Sequence, residues 1–191
     1  MQTKTTMIST KTTFLIAALL LVTTFFSCNK VEESIKRDVI ITPDSTAFEI
    51  PAISNTNTGQ VAGLFSVSLD LNAEIKKIAD EFGESNVRDI RLTALRLNVK
   101  DTVADNNLGN IEYIKVKMIS GAQEITVADY QSNPATKSIG INIPVLSPIT
   151  GLREILNAES FKYDIRVKLR KPTTAILKAN IRATYTVSLG F

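Results

Sequence analysis

Hydrophobic and polar residues alternate along much of the chain after residue 60, and this alternation predicts β-strands. The clearest examples are segments 161–169 and 177–189, in which every second residue is apolar. A period of two places the apolar side chains on one face of a strand and the polar side chains on the other. Such strands are typical of antiparallel sheets that have one buried face. We interpret the two segments as a hairpin that closes the domain.

Seven shorter segments also have strand-like patterns. They cover residues 37–42, 47–50, 63–71, 87–100, 114–118, 124–128 and 139–143. Within 87–100 the apolar positions change from even to odd numbers near Thr93-Ala94. Either a β-bulge, which inserts one extra residue, or a strand that bends from one sheet to the other would produce this change.

Two short helices are predicted from a different spacing. Residues 72–83 carry apolar side chains at i, i+3, i+4 and i+7, with Asn72 as the N-cap and Gly83 at the end. A second helix is predicted to begin at Ser147-Pro148. Eight or nine strands with two short helices and no βαβ spacing predict an all-β fold, mainly an antiparallel β-sandwich.

The N-terminal residues have the layout of a secretory signal. Lys4 and Lys11 precede an uncharged apolar run over 14–26, and the small residue Ser27 follows it. The run is shorter than the ~20 apolar residues that a membrane-spanning helix needs. Met7 is an alternative start, because the chain from Met7 keeps Lys11 and the whole run.

Phe25-Phe26-Ser27-Cys28 resembles the lipobox of Gram-negative lipoproteins, and Cys28 is the single cysteine of the chain. The resemblance implies that the signal is removed before Cys28 and that Cys28 is acylated on its thiol and its new amine. A free cysteine in an ordinary signal peptide is the alternative. Asn29 implies the outer membrane, since Asp at that position favours retention in the inner membrane. Glu32 and Glu33 leave open whether the protein faces the periplasm or the cell surface.

This interpretation divides the chain into a signal peptide at 1–27, an acylated tether at 28–37 and a single β-sandwich domain at 38–191. The first 27 residues hold two of the 22 basic side chains and none of the 19 acidic ones, so the remaining 164 residues have a net charge of +1. A nearly neutral chain lacks the basic excess typical of nucleic-acid binding. We therefore expect membrane attachment through lipid and no nucleic-acid partner.

The chain contains no histidine. Histidine is the commonest metal ligand and the usual general base near neutral pH, so Ser-His-Asp and Cys-His catalytic sites and Cys/His zinc sites are excluded as normally built. No nucleotide-binding or hydrolase motif is present. We expect no cofactor, no bound metal and no catalytic activity.

Three groups of residues could still carry chemistry. Asp101, Asp105, Asn106 and Asn107 offer oxygen ligands for Ca²⁺, but they are also ordinary turn residues. Asp44-Ser45-Thr46 and Asp101-Thr102-Val103 are similar to the short O-glycosylation motif of some exported Gram-negative proteins, which implies modification at Ser45 or Thr102. The carboxylate pairs Glu32-Glu33 and Asp80-Glu81 could serve a glycosidase only if they were buried.

The predicted closing hairpin places basic side chains of the same parity on one exposed face. They are Lys162, Arg166, Lys168, Arg170, Lys178 and Arg182, with Asp164 as the one acid among them. This face either keeps the sheet soluble or docks an acidic partner, such as an anionic glycan or lipid headgroups.

The domain resembles the LEA-type-2-like β-sandwich family over residues 60–191. The resemblance depends on the closing hairpin, the helix after GLFSVSLDL and the strand LTALRLNV. It implies a non-catalytic binding or structural module, because that family has no catalytic residues to transfer. The alternatives are a subunit of a surface polysaccharide-capture or fimbrial assembly and, from another class, a carboxylate-dependent glycosidase.

Overall fold

The computed structural model describes residues 36–100 and 106–191. The predicted signal peptide, Cys28, the acidic pair Glu32-Glu33 and Thr102 lie outside these residues. The strands are β1 Lys36–Ile41, β2 Thr46–Ile50, β3 Gln60–Val67, β4 Val87–Val99, β5 Ile111–Ser120, β6 Gln123–Tyr130, β7 Gly140–Ile143, β8 Phe161–Leu169 and β9 Leu177–Gly190. The helices are α1 Leu71–Lys76 and α2 Leu152–Leu156, with 3₁₀ turns at Glu84–Asn86 and Leu108–Asn110.

The strands form two antiparallel sheets that pack as a sandwich, which confirms the predicted fold class. The five-stranded sheet has the order β1-β9-β4-β7, and β2 also pairs with β9. The four-stranded sheet has the order β3-β8-β5-β6. Residues 38–189 form one compact unit.

The prediction of a closing hairpin is wrong. β8 and β9 follow each other in the chain, but β8 lies in the four-stranded sheet and β9 in the five-stranded sheet. Alternation shows which face of a strand is buried, and it does not show which strand is its neighbour. The connection between them is held at Thr173, whose backbone N–H donates to the Ile53 carbonyl at 2.9 Å and whose Oγ1 accepts from the Ile53 N–H at 2.9 Å.

Of the two explanations for the change of parity near Thr93-Ala94, the structure shows the β-bulge and not a strand that bends from one sheet to the other. The register between β4 and β9 shifts between Leu92 and Ala94, and both halves of β4 pair with β9. Thr93 and Ala94 are both exposed, while Leu92 and Leu95 on either side are buried. The extra residue therefore keeps both halves facing the same core.

The helices are shorter than predicted, and their starts differ. Asp70, not Asn72, caps α1, and its Oδ1 accepts from the Ala73 N–H at 2.8 Å. The helix ends at Lys76, but three residues of the predicted apolar stripe, Ile75, Ala79 and Phe82, are buried, and only Ile78 is exposed, at 43%. The second helix begins after Gly151, whose φ of 84° suits glycine, and not at Ser147-Pro148. Among the described residues, no helix is long and apolar enough to cross a membrane.

The core lies between the two sheets and is lined by the apolar side of each strand. Tyr163 of β8 and Tyr185 of β9 meet inside it, with their hydroxyl oxygens 3.1 Å apart. Burial raises the pKa of Tyr163 to about 12 and the pKa of Tyr185 well above its usual value. The pair thus joins the two sheets through a hydrogen bond away from water.

Candidate functional site

The predicted six-residue basic face does not exist as one surface. Lys162, Arg166 and Lys168 project from β8, whereas Lys178 and Arg182 project from β9, which belongs to the other sheet. In a sandwich the outer faces of the two sheets point in opposite directions. The prediction that all six residues form one face is therefore wrong.

On the outer face of the four-stranded sheet, most cations are paired with acids. The pairs are Arg166–Asp164 at 3.2 Å, Lys168–Glu112 at 3.0 Å, Lys117–Glu124 at 2.5 Å and Lys115–Asp129 at 3.7 Å. The hydrogen bond and the charge of Lys117 lower the pKa of Glu124. This face is consequently a mixed-charge surface, and it offers little net attraction to an anion.

Asp164 has the outward parity of β8 but is not exposed like the residues of the same parity. Lys162 and Arg166 on either side of it are exposed, whereas Asp164 is only 6% exposed. Its Oδ2 lies 3.2 Å from the Arg166 Nε, while its Oδ1 has no hydrogen-bond partner among the described residues. Arg166 therefore balances a buried carboxylate and is poorly available to an external ligand.

Arg170 holds two loops together through hydrogen bonds to backbone carbonyls, and it does not contribute to the predicted binding face. Its Nη1 donates to the carbonyls of Ile111 at 2.7 Å and Gly109 at 3.2 Å, and its Nη2 donates to the carbonyl of Asn133. Its backbone N–H donates to the Asn110 carbonyl at 2.7 Å. The side chain thus joins the loop before β5 to the loop after β6.

The outer face of the five-stranded sheet is different, because two arginines lie opposite each other without an acid. Arg96 of β4 and Arg182 of β9 are direct register partners. Neither forms an ion pair with any described carboxylate. Like charges at directly opposite positions of a sheet are destabilising. Most cations of the four-stranded sheet are compensated by neighbouring acids, and Arg96 and Arg182 are not.

Three asparagines surround the arginine pair. Arg96 Nε donates to Asn98 Oδ1 at 2.9 Å, and its Nη1 donates to Asn142 Oδ1 at 3.2 Å. Asn98 Nδ2 in turn donates to Asn180 Oδ1 at 3.3 Å. We call Arg96, Arg182, Asn98, Asn142 and Asn180 the arginine–asparagine patch.

Gly140 of β7 makes room for the guanidinium of Arg96. A Cβ atom at Gly140 would lie 3.0 Å from Arg96 Nη2 and 2.7 Å from Asn98 Oδ1. The missing side chain and the two asparagine oxygens together hold the guanidinium in one place on the strand surface. Its position is therefore set before any ligand arrives.

Charges at the two ends of the patch are partly compensated. Lys178 is the register partner of Glu49. At the other end, Arg91 lies 3.0 Å from Asp38 and 3.5 Å from Asp89. The uncompensated positive charge of this face is thus centred on Arg96 and Arg182.

Sequence reasoning found Arg182 and missed Arg96 and the asparagines. The sequence pattern places Arg182 on one face with the cations of β8, because it predicts that β8 and β9 pair, and the structure puts them in different sheets. The parity of Arg96, between the apolar Leu95 and Leu97, marks it as outward-facing. What the sequence did not reveal is that β4 and β7 are the strands that bring Arg96 and Asn142 to β9.

The remaining predicted residues have no common location. Ser45 is exposed between β1 and β2, as a modification site requires, while Thr102 lies outside the described residues. Asp80 and Glu81 are both exposed. Asn106 and Asn107 are buried and hold loops. Asn106 Oδ1 accepts from the Thr174 N–H at 2.8 Å, and Asn107 Oδ1 accepts from the Gly109 N–H at 2.9 Å.

The predicted Ca²⁺ ligands Asp101 and Asp105 also lie outside the described residues. Within 36–100 and 106–191, no cluster of three acidic, histidine or cysteine side chains is arranged to hold a metal ion.

Comparison with known proteins identifies no relative by sequence. No protein-family model matches the chain, and no curated protein matches it. Among solved structures, the chain is similar to the decameric BFDV capsid protein, with 11% identity, a TM-score of 0.37 and coverage of 81% of this chain and 99% of that one. It is also similar to the structure of infectious bursal disease virus Gx strain, with 12% identity, a TM-score of 0.32 and coverage of 82% and 33%. Likeness at this level carries no argument about function.

Proposed function

We propose that the protein is a lipid-anchored lipoprotein of the outer membrane whose β-sandwich is a non-catalytic binding or structural module. The observation that carries the proposal is the position of Cys28, the single cysteine, directly after a charge-free apolar run and a small residue. Two or more acyl chains anchor a protein stably, because each buried CH₂ contributes ~0.8 kcal/mol. The polar tether that follows suits a domain held at the membrane surface.

The described polar groups support the non-catalytic part of the proposal. The buried asparagines and Arg170 hold loops, and Tyr163 and Tyr185 bind each other. These groups are occupied by contacts within the fold, as buried polar groups usually are, so none of them is free to act on a substrate. The exposed arginine–asparagine patch is one place where the described residues present unpaired side-chain donors to solvent.

Metabolic labelling with palmitate tests the anchor. The wild-type chain should incorporate label and fractionate with the outer membrane, and Cys28→Ala should do neither. Ser27→Ala is the matched control, because it keeps a small residue before Cys28 and should still be labelled. Label retained in the Cys28→Ala variant would contradict acylation at Cys28 and thus the proposal.

A further inference from the structure

The arginine–asparagine patch combines an energetic cost with a surplus of hydrogen-bond donors. Arg96 and Arg182 are opposed on neighbouring strands with no described acid between them. Each guanidinium has five N–H donors and no acceptor. Arg96 uses two of these donors on Asn98 and Asn142, so others remain free. Because the Arg96 guanidinium bonds to Asn142 of β7 and Arg182 lies on β9, the two cations flank β4, and an extended anion that reaches both would satisfy their free donors together.

The asparagines favour a ligand that also carries neutral polar groups. Asn98, Asn142 and Asn180 each use an amide oxygen within the patch, as acceptors from Arg96 or from one another. The amide nitrogens of Asn142 and Asn180 have no acceptor among the described residues. They point to a partner rich in hydroxyl oxygens beside its charged group.

The layout along β9 suits an extended polymer better than a single ion. Lys178, Asn180 and Arg182 project from the same side of the strand at alternate positions. Lys178 and Arg182 are therefore ~13 Å apart along the strand. Donors spaced in this way can contact successive charged units of a chain that lies along the sheet.

We propose that the arginine–asparagine patch binds the carboxylate groups of an acidic polysaccharide. A planar carboxylate accepts two parallel hydrogen bonds from a guanidinium, which is the strongest geometry for such a pair. The sugar hydroxyls meet the asparagine amides. This inference specifies the ligand class of the proposed binding module and rests on that function, but it does not depend on the lipid anchor.

Retention on immobilised polygalacturonate tests the proposal, with the full chain in non-ionic detergent and neutral dextran as the blank matrix. The wild type should be retained on polygalacturonate and released by salt, because exposed charges are screened within ~8 Å at physiological ionic strength. The double variant Arg96→Gln/Arg182→Gln should lose affinity by roughly tenfold or more, since hydrogen bonds to charged groups are lost at both arginines.

The matched control is Lys162→Gln/Lys168→Gln, which removes the same charge from the opposite face of the sandwich. Its affinity should stay within about twofold of the wild type, because these lysines do not touch the patch. Equal losses in both double variants would overturn the proposal in favour of net charge alone. A wild type that passes through the polygalacturonate column would also overturn it.

Two further measurements distinguish a glycan ligand from lipid headgroups, and glycan binding from lipid anchoring. Binding to phosphatidylglycerol vesicles without retention on polygalacturonate would reassign the patch to lipid headgroups and contradict the proposal. Cys28→Ala should be retained on polygalacturonate as well as the wild type is, because residue 28 precedes the folded unit. Failure of lipid anchoring and failure of glycan binding therefore give different results. Circular dichroism of each variant confirms that the sandwich is folded.

Discussion

At the scale of single residues, the polar side chains of this sandwich have distinct roles that their position in a strand pattern does not reveal. Arg170 follows the alternation of β8, and it is exposed as that alternation predicts. It lies just beyond the end of β8, and its guanidinium donates to the carbonyls of Gly109, Ile111 and Asn133. Asn133 reinforces the same junction, because its Nδ2 donates to the carbonyls of Leu108 and Ile111.

Replacing Arg170 with alanine should destabilise the fold strongly. The change removes hydrogen bonds from a charged donor and leaves the carbonyls of the buried residues Gly109 and Asn133 without this donor, while Ile111 keeps its bond from Asn133 Nδ2; the expected cost is ~3 kcal/mol. Lys171→Ala is the matched control, because Lys171 is exposed and such changes stay within ~0.5 kcal/mol. Urea unfolding measures both variants. Equal midpoints for Arg170→Ala and Lys171→Ala would show that the junction does not depend on this side chain.

The tyrosine pair predicts a loss of stability at alkaline pH. The folded state raises the pKa of Tyr163 from 10.0 to about 12, so the unfolded chain releases this proton first as pH rises. The stability that comes from keeping Tyr163 protonated in the fold is fully present below pH 10 and is lost between pH 10 and about 12. One pKa unit corresponds to 1.36 kcal/mol, so the loss from Tyr163 is roughly 3 kcal/mol. The raised pKa of Tyr185 acts in the same direction.

Unfolding measured at pH 9 and pH 11.5 tests this expectation. The double variant Tyr163→Phe/Tyr185→Phe should lose much less stability over that interval than the wild type, since both titrating groups are gone. At pH 9 it should be close to the wild type, because replacing both partners of a hydrogen bond leaves no buried group unpaired. An unchanged alkaline loss in the double variant would assign the effect to other groups.

At the scale of elements, β4 shows how much a strand pattern can predict. Its change of parity at Thr93-Ala94 predicts either a bulge or a strand that bends between sheets, and the register shift with β9 at that place identifies the bulge. Thr93 Oγ1 also donates to the Thr184 carbonyl at 3.1 Å, which ties the bulge to the neighbouring strand. The bulge is readable from sequence because burial imposes parity on both halves of the strand.

Deleting Thr93 should therefore prevent folding. Without the extra residue, one half of β4 would turn its apolar side chains to solvent, and each such side chain contributes ~1.5–3 kcal/mol when buried. The sum for Leu95, Leu97 and Val99 is comparable with the ~5–15 kcal/mol stability of a whole domain. Thr93→Ala keeps the residue count and should fold. Near-native circular dichroism and solubility in the deletion variant would contradict the role of the bulge.

Other features of the elements could not be predicted from single-strand patterns. The order of strands within each sheet depends on contacts between segments far apart in the chain, so β8 and β9 were wrongly paired. α1 ends at Lys76, and the residues after it, Ala79 and Phe82, reach the core without a regular helix while Ile78 is exposed. The arginine–asparagine patch required three strands to be placed side by side, and no local pattern contains that information.

At the scale of the whole molecule, we propose that the N-terminal segment and the β-sandwich have separate functions. The N-terminal cysteine would hold the protein on the membrane, and the sandwich would present its arginine–asparagine patch to an acidic glycan. The fold class was accessible from sequence because it depends on local alternation, and the anchor motif stays a prediction from sequence. The proposed binding face was not accessible, because only the folded sandwich separates the paired cations of one sheet from Arg96 and Arg182 of the other.

Mass spectrometry of the N-terminal peptide of the mature protein tests the central claim most directly. The lipoprotein account predicts a peptide that begins at Cys28 and carries a diacylglyceryl group on the thiol and an acyl chain on the amine. Its mass would exceed that of the unmodified peptide by the mass of these groups, and none of residues 1–27 would be present. A peptide that contains Cys28 as a free thiol, or a chain that begins at another residue, would contradict the account.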